Sequence, residues 1–246
     1  MILVLIVGAV VGSFLNMLIY RLPLKISLIS PNRSFCPKCK KSISPKHNIP
    51  IISYIFLKGK CAMCHEAIST RYIIVELLSG FVALVLFLKL NLNTDFFIVC
   101  VVFYLLILLS FIDLKYKAVP DYLLVLVLIT SMFYSDFDIT AALLFAGSFS
   151  LLEFFVTFYI QNIKYKITKD KQLLHMKALG EGDIPIVAVI GGVLGVYLGA
   201  IGVVVGALVA LLPSLINKEL KTAFIPYLSI GLFVVFLFDD MIKVWF

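Results

Sequence analysis

The chain has 246 residues, of which 62% are hydrophobic and only 14% are charged, and its mean hydropathy is +1.11. A soluble domain is about half apolar and about a quarter charged, so this composition excludes an ordinary soluble protein and indicates a polytopic membrane protein in contact with lipid. The formal net charge is +7. Because Lys and Arg accumulate in the cytoplasmic loops of membrane proteins, we interpret this positive charge as a topology signal. No nucleic-acid partner is therefore expected.

Apolar runs between charges predict an all-α fold with about eight transmembrane helices, because each crossing needs about 20 mainly apolar residues. The uncharged run Ile184 to Asn217 is too long for one crossing. Its 34 residues would extend about 51 Å as a helix, against a hydrocarbon core of about 30 Å. We therefore divide it near Gly199. The predicted spans are residues 2–20, 73–88, 96–112, 122–134, 139–160, 184–197, 199–216 and 223–238.

The basic residues predict which side of the membrane each loop faces. Of the 21 Lys and Arg, 19 lie after the first helix or in the loops that follow helices three, five and seven. By the positive-inside rule these segments are cytoplasmic, which places both chain termini outside. The first segment has no basic region before it and no signal-peptide cleavage site, so it is interpreted as a retained helix.

The largest polar segment, residues 21–72, is predicted to be a small zinc-binding cytoplasmic insert. It contains Cys36-Pro-Lys-Cys39 and Cys61-Ala-Met-Cys64, with 21 residues between the two motifs. So short a segment buries too little apolar area to fold alone, and four thiolates around one tetrahedral Zn²⁺ would supply about 10 kcal/mol. The zinc would be structural, since four sulfur ligands leave no open coordination position. The alternative is two disulfides, which a reducing cytoplasm disfavours.

Three aspartates are predicted at the cytoplasmic border of the membrane. Asp113 ends helix three, Asp121 begins helix four and Asp183 begins helix six. Two aspartates about 3 Å apart share a proton, so one activates a water and the other protonates a leaving group. Gly180 and Gly182 allow unusual backbone conformations and a close approach of substrate. The alternative for Asp121 and Asp183 is helix N-capping, whereas Asp113 caps nothing.

Other single residues carry weaker signals. Glu76 lies one turn inside helix two and is expected to face the bundle, where it either pairs with Arg71 or binds a polar ligand. Cys100 is expected to pack inside an apolar helix. His47 and His65 flank the cysteine motifs and are interpreted as ordinary loop residues.

Taken together, these residues resemble the bifunctional type IV prepilin peptidases, and the resemblance covers nearly the whole chain. The matching elements are Gly12-Ser13-Phe14-Leu15-Asn16, Tyr20-Arg21-Leu22-Pro23, the paired CxxC motifs, Arg71-Tyr72 with Val75-Glu76, Asp113 with Pro120-Asp121, and Gly180-Glu181-Gly182-Asp183. The resemblance implies a GxGD-type aspartic endopeptidase of the bacterial inner membrane. Such an enzyme cleaves the leader of type IV prepilins or pseudopilins at the cytoplasmic face and N-methylates the new N-terminus with S-adenosylmethionine.

The resemblance also implies roles for individual residues. Asp113 and Asp183 would be the catalytic pair, and Gly180, Gly182 and Asp121 would support them. One departure from the family pattern is Pro185, which stands two residues after Asp183 where members commonly carry lysine. Proline at this position favours helix initiation. No glycine-rich strand-turn-helix indicates where S-adenosylmethionine binds.

The expected domain layout is a first helix over residues 1–20, a methyltransferase-associated zinc-knuckle insert over 21–72 and a peptidase bundle over 73–246.

Three other functions stay open at this point. The chain could be a peptidase without methyltransferase activity, a docking adaptor of a pilus or secretion machine, or a small-solute transporter. A transporter is disfavoured because no inverted repeat relates the two halves.

Overall fold

A computed structural model describes residues 1–29, 34–169, 180, 182–217 and 223–243. Most of these residues are helical, and their β structure is limited to two isolated bridges in the insert. The helices are α1 Ile2–Arg21, α2 Ile52–Phe56, α3 Arg71–Leu90, α4 Thr94–Tyr116, α5 Asp121–Ser131, α6 Ile139–Phe158, α7 Tyr165–Thr168, α8 Asp183–Asn217 and α9 Ile225–Lys243. A 3-10 turn covers Pro45–His47, and π-helical residues Tyr159–Lys164 join α6 to α7. The predicted all-α fold is confirmed.

Six helices in the described part of the chain are long and apolar enough to cross a membrane: α1, α3, α4, α6 with its continuation to Ile167, α8 and α9. The multi-pass membrane architecture is thus confirmed, but the predicted count of eight spans is not. Two of the predicted spans account for the difference between eight and six. Helix α5 has only 11 residues, or about 17 Å at the rise of an α-helix, and α8 counts as a single span.

Helix α8 consists of two helices that meet at Gly195, where φ is 74° and ψ is −177°. The chain folds back at this residue. A Cβ placed on Gly199 would lie 3.3 Å from the Cα of Gly191, and one placed on Gly202 would lie 3.4 Å from Cγ2 of Ile190. A straight helix would separate these pairs by about 12 and 18 Å. The break predicted near Gly199 therefore lies at Gly195. A glycine suits this position because the backbone there has positive φ.

The chain divides into two compact units, Met1–Tyr116 and Lys117–Phe246. The first contains α1 to α4 with the insert, and the second contains α5 to α9. This division groups the insert with three membrane helices. The predicted domain boundaries after residues 20 and 72 stay a prediction.

In the first unit, α1 and α3 run antiparallel and touch through small residues. A Cβ on Gly8 would lie 2.9 Å from the Cα of Gly80, and a Cβ on Gly12 would lie 2.8 Å from the Cα of Glu76. Asn16, one turn further along α1, donates a hydrogen bond of 2.9 Å from Nδ2 to the Tyr72 carbonyl. Glycines four residues apart on one face allow this close backbone approach between membrane helices.

In the second unit, the later half of α8 packs on α9 through another pair of glycines. A Cβ on Gly206 would lie 2.9 Å from the carbonyl oxygen of Tyr227, and one on Gly231 would contact the backbone of Gly202. The side chain of Asp138 caps α6, and its backbone N–H donates to the Gly192 carbonyl at 2.8 Å. These contacts fix the hairpin whose first residue is Asp183.

Candidate functional site

Asp113 lies in the last turn of α4. The residue is 8% exposed and follows Ile112, which is completely buried. The C-terminus of a helix carries the negative end of the helix dipole, so a carboxylate is disfavoured there. Neither capping nor the dipole explains this position, and a buried carboxylate at such a place is typical of a functional group.

Asp183 is the first residue of α8 and is 6% exposed. Its Oδ2 accepts a hydrogen bond of 3.1 Å from the backbone N–H of Gly180, and its own N–H donates to the Gly180 carbonyl at 3.0 Å. The carboxylate thus closes the turn that precedes the helix. Glu181, the second residue of the predicted GxGD motif, lies outside the described residues.

Gly180 and Gly182 both lie where an added side chain would meet a close neighbour. A Cβ on Gly182 would lie 3.0 Å from Cγ2 of Val119 and 3.3 Å from Cδ1 of Leu124. A Cβ on Gly180 would lie 3.1 Å from Oδ2 of Asp183. The expected backbone freedom of these glycines and the expected close approach of substrate to the aspartate stay predictions.

Asp121 is the exposed first residue of α5. Pro120 occupies the N-cap position of this helix and no side chain caps it, so Asp121 does not act as the N-cap. A carboxylate in the first turn still interacts favourably with the helix dipole. Asp113 belongs to the first compact unit, and Asp121 and Asp183 belong to the second. The pairing of Asp113 with Asp183 stays a prediction from the sequence.

The four cysteines of the insert converge on one point. The sulfur atoms of Cys36, Cys39, Cys61 and Cys64 all lie within 4.8 Å of one another, and the Cys36 and Cys64 sulfurs are 3.9 Å apart. Four sulfurs about 2.3 Å from a tetrahedral ion are about 3.8 Å apart, whereas a disulfide joins sulfurs at about 2.05 Å. All four thiols are free. The cluster therefore has the geometry of a metal site rather than that of two disulfides.

The two CxxC segments have the same local fold. In each, the N–H of the first cysteine donates to the carbonyl five residues later, and its carbonyl accepts from the N–H four residues later. Lys40 and His65 occupy equivalent positions after the second cysteine, with φ of 59° and 57°. One antiparallel bridge closes each segment, Phe35 with Ser42 and Lys60 with Ala67. His65 is thus a turn residue, as expected.

The backbone around Cys61 favours the form of a thiol that binds metals. Hydrogen bonds from the backbone of Cys64 and then of Met63 lower the pKa of the Cys61 thiol from 9.0 to about 7, whereas burial and the neighbouring thiols raise the pKa of Cys64 to about 11. Metal ions bind the thiolate, so a lowered pKa reduces the number of protons that must be displaced at neutral pH.

A cavity of about 450 Å³ lies beside the cysteine cluster, and α1, α3 and the insert all contribute to its wall. Small-molecule sites typically have volumes of about 300–1,000 Å³. Its wall includes Tyr20 from α1, Tyr72 from α3 and Cys36 from the insert. No sequence motif indicates this cavity, because it depends on how the insert folds back onto the two helices.

Glu76 is 7% exposed and lines the cavity. Its Oε2 accepts a hydrogen bond of 2.7 Å from the backbone N–H of Ile51, and Ser13 hydrogen-bonds to the same carboxylate. Within the described ranges no Lys or Arg forms an ion pair with Glu76. The Arg71 guanidinium lies instead 4.9 Å from the ring centre of Tyr72. The expected pairing with Arg71 is therefore wrong, and the binding of a polar ligand by Glu76 stays a prediction.

Comparison with known proteins identifies two family models along the chain. Residues 6–90 match the bacterial peptidase A24 N-terminal domain, and residues 100–237 match the type IV leader peptidase family. The first match covers the insert with its cysteine cluster, and the second covers both Asp113 and Asp183. No solved structure matches the chain.

Several curated relatives are similar over most of their length. The prepilin leader peptidase/N-methyltransferase of Vibrio cholerae is 34% identical over 80% of this chain and 78% of its own length. The protein of the same name from Bacillus subtilis is 30% identical over 96% and 93%. The type 4 prepilin-like proteins leader peptide-processing enzyme of Escherichia coli is 31% identical over 91% and 88%. This chain therefore belongs to the type IV leader peptidase family.

Proposed function

We propose that this protein cleaves the leader peptide of type IV prepilins or pseudopilins and then N-methylates the new N-terminal residue. The observation that carries the proposal is the burial of two carboxylates at the ends of apolar helices, Asp113 at 8% and Asp183 at 6% exposure. Both lie in the region that matches the leader peptidase family. Buried carboxylates in a membrane protein are costly, so their retention supports a catalytic use.

The proposed cleavage chemistry uses Asp113 and Asp183 as one pair that shares a proton. The ionised member takes a proton from a water molecule, which attacks the scissile carbonyl, while the protonated member donates to the leaving nitrogen. A backbone N–H from Gly180 and the start of α8 both stabilise negative charge on Asp183. We therefore assign Asp183 as the base and Asp113 as the acid.

The proposed methyl transfer belongs to the insert of residues 21–72 and its neighbouring helices. Zn²⁺ on Cys36, Cys39, Cys61 and Cys64 would hold the insert folded as a structural ion, since all four ligands are protein sulfurs. S-adenosylmethionine supplies an electrophilic methyl group. The distribution of basic residues supports an inner-membrane protein with its N-terminus outside and the insert in the cytoplasm.

The decisive experiment expresses the protein with a prepilin in bacterial membranes and measures the pilin N-terminus by mass spectrometry. Asp113→Asn and Asp183→Asn should each lower cleavage at least about a hundredfold, the typical contribution of general acid–base catalysis. The amide that replaces the Asp183 carboxylate retains an oxygen that accepts from Gly180, so the turn before α8 should stay intact. Asp136→Asn is the matched control and should cleave as well as the wild type, because Asp136 is an exposed carboxylate in the segment between α5 and α6.

The same spectra separate the competing functions. N-methylation adds about 14 Da to the mature N-terminus, and a cleaved product without this increment would indicate a peptidase alone. Cleavage by both aspartate variants at the wild-type rate would refute the aspartic mechanism. Absence of cleavage by the wild type on several prepilins would favour the adaptor or transporter.

A further inference from the structure

We propose that the cavity between α1, α3 and the insert is the acceptor site for methyl transfer, and that Glu76 binds the α-amino group of the processed pilin as an ammonium ion. This inference rests on the proposed function and assigns it a place and a residue. The ligand class is a primary aliphatic ammonium at the N-terminus of a peptide.

Two hydrogen bonds hold the Glu76 carboxylate in place and leave room for a third partner. Ile51 donates to Oε2 at 2.7 Å and Ser13 also hydrogen-bonds to the carboxylate, whereas an ionised carboxylate offers about four acceptor positions. The remaining capacity is available in the cavity that Glu76 lines. The protein therefore orients the Glu76 carboxylate without filling all of its hydrogen-bond acceptor positions.

The conformation of Ile51 indicates that this orientation matters. Ile51 has φ of 62° and ψ of −51°, a costly conformation for a β-branched residue. Such strained residues persist where the surrounding structure enforces them, and they cluster at functional sites. Here the strained residue directs its N–H at a carboxylate on α3, 25 residues later in the chain.

No Lys or Arg in the described part of the chain lies within ion-pair distance of Glu76, although Arg21, Lys38 and Lys41 line the same cavity. Burial of an unpaired charge is strongly unfavourable, so a ligand that brings a positive charge would gain the missing interaction. The α-amine of a peptide has a pKa of about 7.7–8.0 and is largely an ammonium at neutral pH. Tyr20 and Tyr72 also line the cavity, and aromatic rings attract cations as well as apolar side chains.

The proposed arrangement also suits the chemistry of the transfer. The ammonium gives one proton to the Glu76 carboxylate, which passes it to water. The lone pair of the amine nitrogen then forms the bond to the methyl carbon while the carbon–sulfur bond breaks and leaves its electron pair on sulfur. The positive charge moves from sulfur to nitrogen, next to Glu76, where the ionised carboxylate stabilises it.

The experiment uses the purified full-length protein in lipid nanodiscs and a synthetic peptide with the sequence of a mature pilin N-terminus. A peptide that is already cleaved makes methyl transfer independent of the aspartates, and cleavage of an intact prepilin is measured in parallel. Glu76→Gln should lower kcat/KM for the peptide about 10- to 100-fold, the value of a hydrogen bond to a charged group. KM for S-adenosylmethionine, prepilin cleavage and metal content should stay within twofold of the wild type.

Matched variants separate the role of the charge from the role of the fold. Glu153→Gln removes another carboxylate from a predicted membrane helix, α6, and should methylate normally. Glu76→Asp keeps the charge and should restore part of the activity that Glu76→Gln loses. If Glu76→Gln loses its metal, Ser13→Ala decides the question, because it should lower peptide methylation several-fold with the metal retained.

Three results would overturn the inference. One is wild-type methylation by Glu76→Gln. Another is a rise in KM for S-adenosylmethionine with an unchanged KM for the peptide, which would make the amino or sulfonium group of the methyl donor the ligand of Glu76. The third is a wild-type protein that cleaves prepilin but does not methylate the cleaved peptide, which would refute the proposed methyltransferase itself.

Discussion

Replacement of Gly12 by alanine should destabilise the contact between α1 and α3. A Cβ at this position would lie 2.8 Å from the Cα of Glu76 and 2.9 Å from both the Ser79 hydroxyl and the Val75 carbonyl oxygen. Carbon atoms in favourable contact are about 3.5–4.0 Å apart, so the helices must separate by about 0.7 Å. Two of the three obstructing atoms belong to the backbone and cannot rotate away. Overpacking of this kind costs about 1–3 kcal/mol.

Gly147→Ala is the matched control for this measurement. Gly147 is also inside a membrane helix, and a Cβ there would have nothing within 4 Å. Both variants gain the same intrinsic helix preference of alanine over glycine, about 0.5–1 kcal/mol. The difference between their free energies of unfolding therefore isolates the packing cost at Gly12.

The assay is reversible unfolding of the purified protein in mixed detergent micelles, followed by circular dichroism. Gly12→Ala should have a free energy of unfolding about 1–3 kcal/mol below that of Gly147→Ala. Equal values for the two variants would show that α1 and α3 separate without cost and that the glycines are not needed for packing.

Two further variants address the cysteine cluster and the break in α8. Cys61→Ser should lose most of its bound metal, because a hydroxyl is a poor zinc ligand, whereas the control Cys100→Ser should keep one ion per chain. Elemental analysis measures both, and equal metal contents would contradict the proposed metal cluster. Gly195→Ala should lower the free energy of unfolding by about 1 kcal/mol or more, because φ at this residue is 74° and alanine is strained there. If this variant is as stable as Gly147→Ala, the chain does not reverse sharply at Gly195.

Most of the helices could be predicted from the sequence because lipid leaves the backbone few alternatives. Inside a bilayer every backbone N–H and carbonyl must be satisfied within the chain, so a long apolar run forms a helix. The predicted span 2–20 corresponds to α1 at Ile2–Arg21, and 139–160 corresponds to α6 at Ile139–Phe158. The predicted span 122–134 extends beyond the end of α5 at Ser131, because composition alone does not indicate where an apolar helix ends.

The candidate site could be predicted only where local spacing determines the geometry. The CxxC motifs bring two sulfurs together within one turn each, and the predicted cluster of four is confirmed by their convergence within 4.8 Å. The contact between Ile51 and Glu76 could not be predicted in this way. It joins residues 25 positions apart and requires Ile51 to adopt a backbone conformation that isoleucine disfavours.

The reversal at Gly195 also bears on how the chain enters the bilayer. After Asp183, the segment up to Asn217 contains no charged residue, and its two arms meet without an intervening polar loop. Transfer of a single Lys, Arg or Asp to the centre of a membrane helix costs about 2.5–3.5 kcal/mol during insertion. The hairpin avoids this cost along both arms, and Tyr197 beside the turn is 80% exposed, so the reversal presents an apolar and aromatic surface to its surroundings.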